Sequence, residues 1–230
     1  MKPHRQFLAL VFSIAIVIWF CVYSAVGWLF AQVASPFDPV FIASANARAT
    51  SSLATFADTF DRADSSPMSL TSSSGGTWET GTGGFDGMQI VGNAATGVAA
   101  ADSATARVVA PTFAANQSAT ITFGSGNVKG ACVRMDGSGN GYLAFFSTAT
   151  VQLYSTAASS GTLLTAFDLY GSPASGWTLT LEVSGTTLTV KTNGGGTVGT
   201  YSDSTYSTGQ PGMWSGSADG AILEMSATDL

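Results

Sequence analysis

Short runs of alternating apolar and polar residues cover residues 55–230, and this alternation constrains the fold more than any other feature of the chain. In SATITF, residues 118–123, Ala119, Ile121 and Phe123 share one face of an extended strand, and hydroxyl side chains occupy the other. The same pattern recurs in KGACVRM, GYLAFF, TVQLYS, TLLTAFD and AILEMSA. Turn-forming Gly, Ser, Asn and Asp separate these runs. Many short strands divided by turns predict a β-sandwich or a β-barrel.

The segment GWTLTLEVSGTTLTVKTNGG, residues 176–195, predicts a hairpin and its pairing register. A two-residue loop at Ser184-Gly185 pairs Leu181 with Leu188 and Leu179 with Val190, so that the apolar residues of both strands share one face. A three-residue loop would turn the two apolar faces apart. We therefore predict the two-residue loop.

Five segments follow one another in an order that is typical of a known family. They are FADTFDRADSS (56–66), GGFDGMQIVGN (83–93), VRMDGSGNGYLAFF (133–146), WTLTLEVSGTTLTVKTNGG (177–195) and STGQPGMWSGSADGAILEMSATDL (207–230). In this order, residues 55–230 resemble the laminin-G-like jelly rolls of the concanavalin A-like superfamily. The resemblance implies an all-β jelly-roll sandwich of two antiparallel sheets. Members of this superfamily occur in secreted enzymes, adhesins and surface proteins of phages and bacteria, so the fold does not settle the function.

The N-terminal residues are those of a membrane-targeting segment. Lys2 and Arg5 precede an uncharged apolar stretch, residues 7–30, which as a helix is long enough to span a bilayer. Two interpretations compete, an uncleaved anchor helix and a cleaved signal peptide, and a buried core helix is the third alternative. The ANA sequence at 45–47 resembles a cleavage site but lies about fifteen residues beyond the apolar stretch. The anchor and the signal peptide both predict an extracytoplasmic location for the remainder, and the anchor keeps the N-terminus in the cytoplasm. We expect a segment 1–30, a linker 31–54 and a jelly roll 55–230.

Charge and cysteine content exclude some classes of function. The net charge is −6, and no cluster of Lys or Arg follows residue 5, which argues against binding to nucleic acid. The two cysteines, Cys21 and Cys132, lie in the N-terminal apolar stretch and in a strand-like run. We therefore expect no disulfide within the folded domain.

Residues 136–147 resemble the beginning of a calcium-binding loop. Asp136, Ser138 and Asn140 supply oxygen atoms at alternate positions, but the twelfth position is Ser147 instead of the glutamate that an EF-hand requires. The flanking runs are also strands, so we interpret DGSGNG as a hairpin turn. The superfamily resemblance keeps open a different calcium site that uses Asp136 and Asn140. Three further carboxylates lie in similar turns, namely Asp86, Asp203 and Asp219.

The residues needed for common hydrolytic mechanisms are missing from residues 55–230. The chain's histidine is His4, which excludes a Ser-His-Asp triad, a Cys-His pair and a histidine-bound zinc in that domain. Cys132 lies in an apolar run and is interpreted as a buried strand residue. Glu79, Glu182 and Glu224 lie in separate segments, without the Glu-x-Asp-x-x-Glu grouping of the β-glucanases with this fold. We predict that the protein is not an enzyme.

Aromatic side chains provide the remaining candidates for a binding site, because aromatic faces stack on sugar rings. Tyr201 and Tyr206 lie in the loop-rich stretch GTYSDSTYSTGQPG, and Trp214 lies between glycines. Trp177 follows the inward phase of its strand and is interpreted as a core residue. We therefore predict ligand contacts for Tyr201, Tyr206 and Trp214, with a glycan or another surface ligand as the partner.

Together these features favour a non-catalytic, exported surface module for recognition or adhesion. The alternative is a structural or decorating subunit of a virion or of a cell-surface assembly. Such a subunit would use its hydroxyl-rich surface for packing and the apolar segment 7–30 for attachment to a membrane.

The strand pattern predicts the far-ultraviolet circular dichroism of a fragment comprising residues 50–230. We expect a spectrum dominated by β-structure, because none of the runs beyond residue 55 has a helical period. A mainly helical spectrum would contradict the proposed fold class.

Overall fold

The alternating runs form two antiparallel β-sheets, as the sequence predicts. A computed structural model describes residues 52–98, 103–126, 128–169, 171–218 and 220–230. In chain order, the strands are β1 (Thr55–Asp58), β2 (Thr77–Thr80), β3 (Met88–Ile90), β4 (Ala95–Gly97), β5 (Ala104–Ala110), β6 (Gln117–Ser125), β7 (Lys129–Met135), β8 (Gly141–Ser147), β9 (Thr150–Ala157), β10 (Ser160–Asp168), β11 (Thr178–Ser184), β12 (Thr187–Thr192), β13 (Gly196–Ser202), β14 (Gln210–Ser215) and β15 (Ala221–Asp229). In these ranges no helix has the length and apolar character needed to cross a membrane. The predicted segment 7–30 and almost all of the predicted linker lie outside the described residues, as does Asp219.

The two sheets have eight and seven strands. The eight-stranded sheet has the order β13-β12-β11-β6-β15-β4-β3, with β1 also paired to β15. The seven-stranded sheet has the order β10-β9-β8-β7-β14-β5-β2. Most neighbours at the centre of each sheet are far apart in sequence, for example β6 and β15. Long-range pairing therefore determines the topology, and the predicted jelly-roll sandwich is confirmed.

An apolar core fills the space between the sheets. Leu179, Leu181 and Val183 enter it from β11, and Ala144 and Phe146 enter it from β8; each is at most 2% exposed. The alternate residues of β11 are two threonines, Glu182 and Ser184, which lie on the outer face. Strand alternation thus separates an apolar inner face from a hydroxyl-rich outer face.

The β11–β12 hairpin has the predicted loop length but not the predicted position. Leu181 pairs with Val190 and Val183 pairs with Leu188, so the two-residue loop is Gly185-Thr186 instead of Ser184-Gly185. The predicted position Ser184-Gly185 was wrong. The hydrophobic pattern could not distinguish the two loop positions, because a two-residue loop at either position places the apolar residues of both strands on one face. Gly185 has φ +57° and is the first loop residue, where a type II′ turn requires a positive φ.

A second, smaller apolar cluster covers the outer face of the seven-stranded sheet. Its buried members are Phe85, Cys132, Met135, Leu143 and Trp214. Cys132 is fully buried, and burial raises the pKa of its thiol. Cys132 therefore packs as an apolar strand residue, as the sequence analysis interpreted it.

A buried carboxylate connects β1 to β2. Asp58 is 1% exposed and accepts hydrogen bonds from Arg62 Nη1 at 2.6 Å, Arg62 Nη2 at 2.9 Å and Trp78 Nε1 at 2.7 Å. The Trp78 ring also packs edge-on against Phe56, with ring centroids 4.8 Å apart. One carboxylate therefore accepts hydrogen bonds from both terminal nitrogens of a guanidinium and from an indole at the border of the core.

Removal of this carboxylate should destabilise the domain. We expect Asp58→Ala to lower the free energy of unfolding by about 3 kcal/mol, because it leaves Arg62 and the Trp78 N–H without their acceptor. Asp61→Ala removes an exposed carboxylate from the same connection and should change the free energy by less than about 0.5 kcal/mol. Equal effects of the two substitutions in urea denaturation would contradict this role of Asp58.

Candidate functional site

A cleft of about 680 Å³ opens at one end of the sandwich, between strands that belong to different sheets. The end of β10 forms one side, and the end of β12 and the start of β13 form the other. The residues that give the cleft its chemistry are Asp168, Trp177, Thr192, Asn193, Gly196 and Thr197. We call it the Trp177 cleft. Its volume lies within the range of about 300–1,000 Å³ that is typical of small-molecule sites.

Trp177 belongs to both the core and the cleft. It directly precedes β11, where its carbonyl oxygen accepts a hydrogen bond from Phe123 N at 2.7 Å and its own N–H donates to Ala174 O at 3.0 Å. The indole packs against Phe146, with ring centroids 6.4 Å apart, and is only half-buried. The core therefore fixes the orientation of the ring, and the exposed part of the ring lines the cleft.

Polar side chains are placed beside the indole by a strand end and a turn. Asp168 is the last residue of β10, and Asn193 begins the β12–β13 turn with φ +48°, its N–H donating to Thr178 O at 3.1 Å. Both side chains are exposed, and neither forms a hydrogen bond within the described ranges. A carboxylate accepts hydrogen bonds, whereas an amide and a hydroxyl both donate and accept them. The cleft thus combines one aromatic surface with hydrogen-bond donors and acceptors that are free to bind a ligand.

A contact between the sheet edges closes the side of the sandwich next to the cleft. The Phe167 ring of β10 lies against Gly199 of β13, in the space that a Cβ at residue 199 would occupy. The glycine therefore allows the edge strands of opposite sheets to approach each other. Gly196, three residues earlier in β13, has ordinary space for a Cβ, with Thr192 O as the nearest atom at 3.5 Å.

The predicted calcium residues lie in the turn between β7 and β8. This turn precedes β8, whereas Phe146, which contacts Trp177 of the cleft, lies near the other end of that strand. Asp136 Oδ1 accepts hydrogen bonds from Ser138 N at 2.8 Å and Asn140 N at 3.0 Å, and its Oδ2 accepts one from Asn140 Nδ2 at 2.8 Å. Burial alone would raise the pKa of Asp136, but these hydrogen bonds and the charge of Arg107 outweigh it and lower the pKa.

This turn is a poor fit for calcium, which needs six to eight oxygen ligands. The hydrogen bonds of the turn already use both carboxylate oxygens of Asp136, and they use the amide of Asn140 as a donor. No group of three or more His, Cys, Asp or Glu side chains suited to a metal occurs among the residues that the structure describes. Calcium at Asp136 and Asn140 therefore stays a prediction without a complete set of ligands.

Tyr206 lies near the same turn and is held by the surrounding strands. Its hydroxyl donates to Thr156 O at 2.6 Å, and its backbone N–H donates to the Tyr142 hydroxyl at 3.0 Å. The Tyr142 hydroxyl in turn donates to Asp203 Oδ1 at 2.6 Å. Burial and the bond to Asp203 raise the pKa of Tyr142 to about 12. These tyrosine hydroxyls are therefore already engaged within the protein.

The other two predicted ligand residues lie elsewhere. Tyr201 on β13 pairs with Leu188 of β12 and packs against the core. Trp214 is 8% exposed, and its Nε1 donates to Ser103 Oγ at 2.6 Å. The structure thus brings Tyr206, Asp136 and Asn140 to one end of the sandwich and places Trp214 in the cluster on the outer face. The ligand contacts of Tyr201, Tyr206 and Trp214 stay predictions.

The three glutamates considered as catalytic candidates are on separate strands. Glu79 forms an ion pair with Arg107 on the seven-stranded sheet, and Glu182 forms one with Lys191 at 2.6 Å on the eight-stranded sheet. Glu224 is exposed on β15, and Asp86 is exposed in a backbone bridge to Ala104. None of these carboxylates lines the Trp177 cleft.

Sequence reasoning missed Asp168 and Asn193 and assigned Trp177 to the core alone. A local signal existed in KTNGGGT, because three consecutive glycines after an asparagine mark an exposed turn. The signal does not show that the turn lies beside Asp168 in space, because a loop and two strands separate the two along the chain.

Comparisons with known structures identify the fold. The metal-free VIP36 exoplasmic/lumenal domain is 14% identical over 77% of this chain and 93% of its own, with a TM-score of 0.53. The Ca²⁺/Man-bound form of that domain is 15% identical over 72% of this chain and 85% of its own, with a TM-score of 0.51. A prokaryotic β-1,3-1,4-glucanase (lichenase) derived from a mouse hindgut metagenome is 14% identical over 76% of this chain and 99% of its own, with a TM-score of 0.50.

The described domain has the two-sheet jelly-roll fold of these solved structures. No protein-family model and no curated protein matches the chain. At these low identities the solved structures establish the fold of the jelly roll and leave its ligand to be determined from its own residues. The jelly-roll fold that the five sequence segments imply is therefore confirmed.

Substitution of Gly199 should disturb the wall of the cleft. We expect Gly199→Ala to lower the free energy of unfolding by about 1–3 kcal/mol, because the added methyl group overlaps the Phe167 ring. Gly196→Ala is the matched control in the same strand and should change it by less than about 0.5 kcal/mol. Thermal or urea denaturation measures both, and an equal loss in the two variants would argue against the contact between the sheet edges.

Proposed function

We propose that this protein is a carbohydrate-binding module and that the Trp177 cleft holds a sugar ring of its ligand. The observation that carries the proposal is the half-buried indole of Trp177 beside side chains with unused hydrogen-bonding groups. A sugar ring has an apolar face of C–H groups and a rim of hydroxyls. An aromatic surface bordered by a carboxylate, an amide and hydroxyls complements both parts.

Proteins of similar fold support this proposal in general terms. The VIP36 exoplasmic/lumenal domain was solved in Ca²⁺/Man-bound and Ca²⁺/Man3GlcNAc-bound forms, and the lichenase is a β-1,3-1,4-glucanase. Carbohydrate is therefore a ligand class that this architecture accommodates in other proteins. The residues of the Trp177 cleft are the independent argument for this chain.

We propose binding without hydrolysis. Most glycosidases place two carboxyl groups on either side of the scissile bond, about 5–9.5 Å apart. Asp168 is the one carboxylate lining the cleft among the residues that the structure describes. The cleft is therefore suited to holding a sugar in place, and the apolar segment 7–30 supports a role in recognition or adhesion outside the cytoplasm.

The proposal also predicts binding in the absence of added calcium. Asp168 is the one carboxylate among the described residues that line the cleft, whereas tight calcium sites usually combine several carboxylates with other oxygen ligands. Titrations with calcium and with a chelator should therefore give the same affinity. A loss of binding in the chelator would instead favour a calcium site at the Asp136–Asn140 turn.

Substitutions in the cleft should weaken binding to glycans. We expect Trp177→Ala to reduce the affinity for a bound oligosaccharide about tenfold or more, because truncation of an aromatic anchor at the centre of a site typically costs more than 1 kcal/mol. Asn193→Gly removes an amide but retains the positive φ, so it tests the cleft without disturbing the core packing of Trp177. Affinity electrophoresis or titration calorimetry with a panel of oligosaccharides measures both.

Tyr206→Phe is the control, because it removes a hydroxyl at the opposite end of the sandwich. We expect it to leave the affinity unchanged. Failure of the protein to bind any glycan in the panel would refute the proposed function. Binding that depends on Tyr206 but not on Trp177 or Asn193 would move the site to the other end.

A further inference from the structure

The basic side chains of the domain are committed to interactions within the protein. Residues 52–230 contain five basic and thirteen acidic residues. Arg62, Arg107 and Lys191 each form an ion pair with a carboxylate. Lys129 is fully buried and donates to Ser217 O at 3.2 Å.

Arg134 is also used internally. It is 3% exposed, and its guanidinium donates to the carbonyl oxygens of Ala115 at 2.9 Å, Tyr206 at 2.7 Å and Gly185 at 2.8 Å. The guanidinium therefore fastens three loops to one another. Together with the four preceding residues, it accounts for every basic side chain in the described ranges.

The Trp177 cleft, in contrast, contains a charged side chain that is available to a ligand. Its one charged lining residue within the described ranges is Asp168, which is exposed and forms no ion pair there. An exposed carboxylate next to an aromatic face attracts a cationic group and repels an anionic one. The charge at the cleft should therefore discriminate between glycans that differ only in charge.

We infer that the cleft prefers glycans with free amino groups and that Asp168 is the residue that determines this specificity. The inference rests on the proposed function, since it names the ligand class of the same site. The protonated amine of an amino sugar lies against the Asp168 carboxylate while the sugar ring stacks on Trp177. Glycans with uronic acid or sulfate groups bind less tightly, because Asp168 repels them and no basic side chain lines the described cleft to receive them.

The test compares two oligosaccharides of equal length that differ only at the amine, and it adds an anionic oligosaccharide as a third probe. The full chain is titrated at low ionic strength with glucosamine oligosaccharides, with their N-acetylated counterparts and with oligogalacturonate. We expect the free-amine form to bind about two- to fivefold more tightly than the acetylated form, the range of an exposed ion pair. The preference should shrink in high salt, which screens exposed charges. Oligogalacturonate should bind more weakly than the free-amine form.

Two variants assign the preference to Asp168. Asp168→Asn should remove the preference for the free amine, so that the free-amine and acetylated forms bind with equal affinity. Asp61→Asn makes the same change in net charge outside the cleft and should keep the preference.

Retention of the amine preference in Asp168→Asn would overturn the inference. Equal losses of affinity for both oligosaccharides, or binding of oligogalacturonate as tight as that of the free-amine form, would also overturn it. In each of those cases the proposed function would survive, because a glycan still binds. If no oligosaccharide binds the full chain, the proposed function and this inference both fail.

Discussion

The apolar layer between the two sheets is the interaction on which the rest of the domain depends, because the part of the chain that the structure describes contains neither a helix nor a disulfide to support the strands. Leu181 and Val190 fill the layer from one sheet, and Ala144 and Phe146 fill it from the other, all of them buried. Burial of apolar surface is the dominant favourable contribution to folding. Since the layer supplies this contribution, the outer face of the eight-stranded sheet is free to carry threonine and serine hydroxyls.

The candidate site forms where this layer reaches the end of the sandwich. Trp177 packs against Phe146 on one side and borders the cleft on the other, so the core itself holds the ring in place. Phe167 and Gly199 close the adjacent side through the close approach of the two edge strands. A rigid aromatic surface held by packing loses little conformational freedom when a ligand binds.

The charged residues of the domain are divided between structural and surface roles. Asp58 and Arg134 are buried, and each fastens connections between strands through several hydrogen bonds. The ion pair of Glu182 with Lys191 lies on the outer face, where such pairs contribute little to stability. Asp168 is exposed in the cleft and has no such partner in the described part of the chain, which makes it the charge available to a ligand.

The sequence by itself determined the strands and their inward faces. The run KGACVRM coincides with β7, and the apolar positions of β11 and β12 all face the core, because alternation with a period of two is a local property. It did not determine the loop position at Gly185, since two registers bury the same residues. Only the tertiary structure placed Asp168, Trp177 and Asn193 around one cleft. Their proximity depends on β10 and β13 being edge strands of opposite sheets, and long-range packing decides that arrangement.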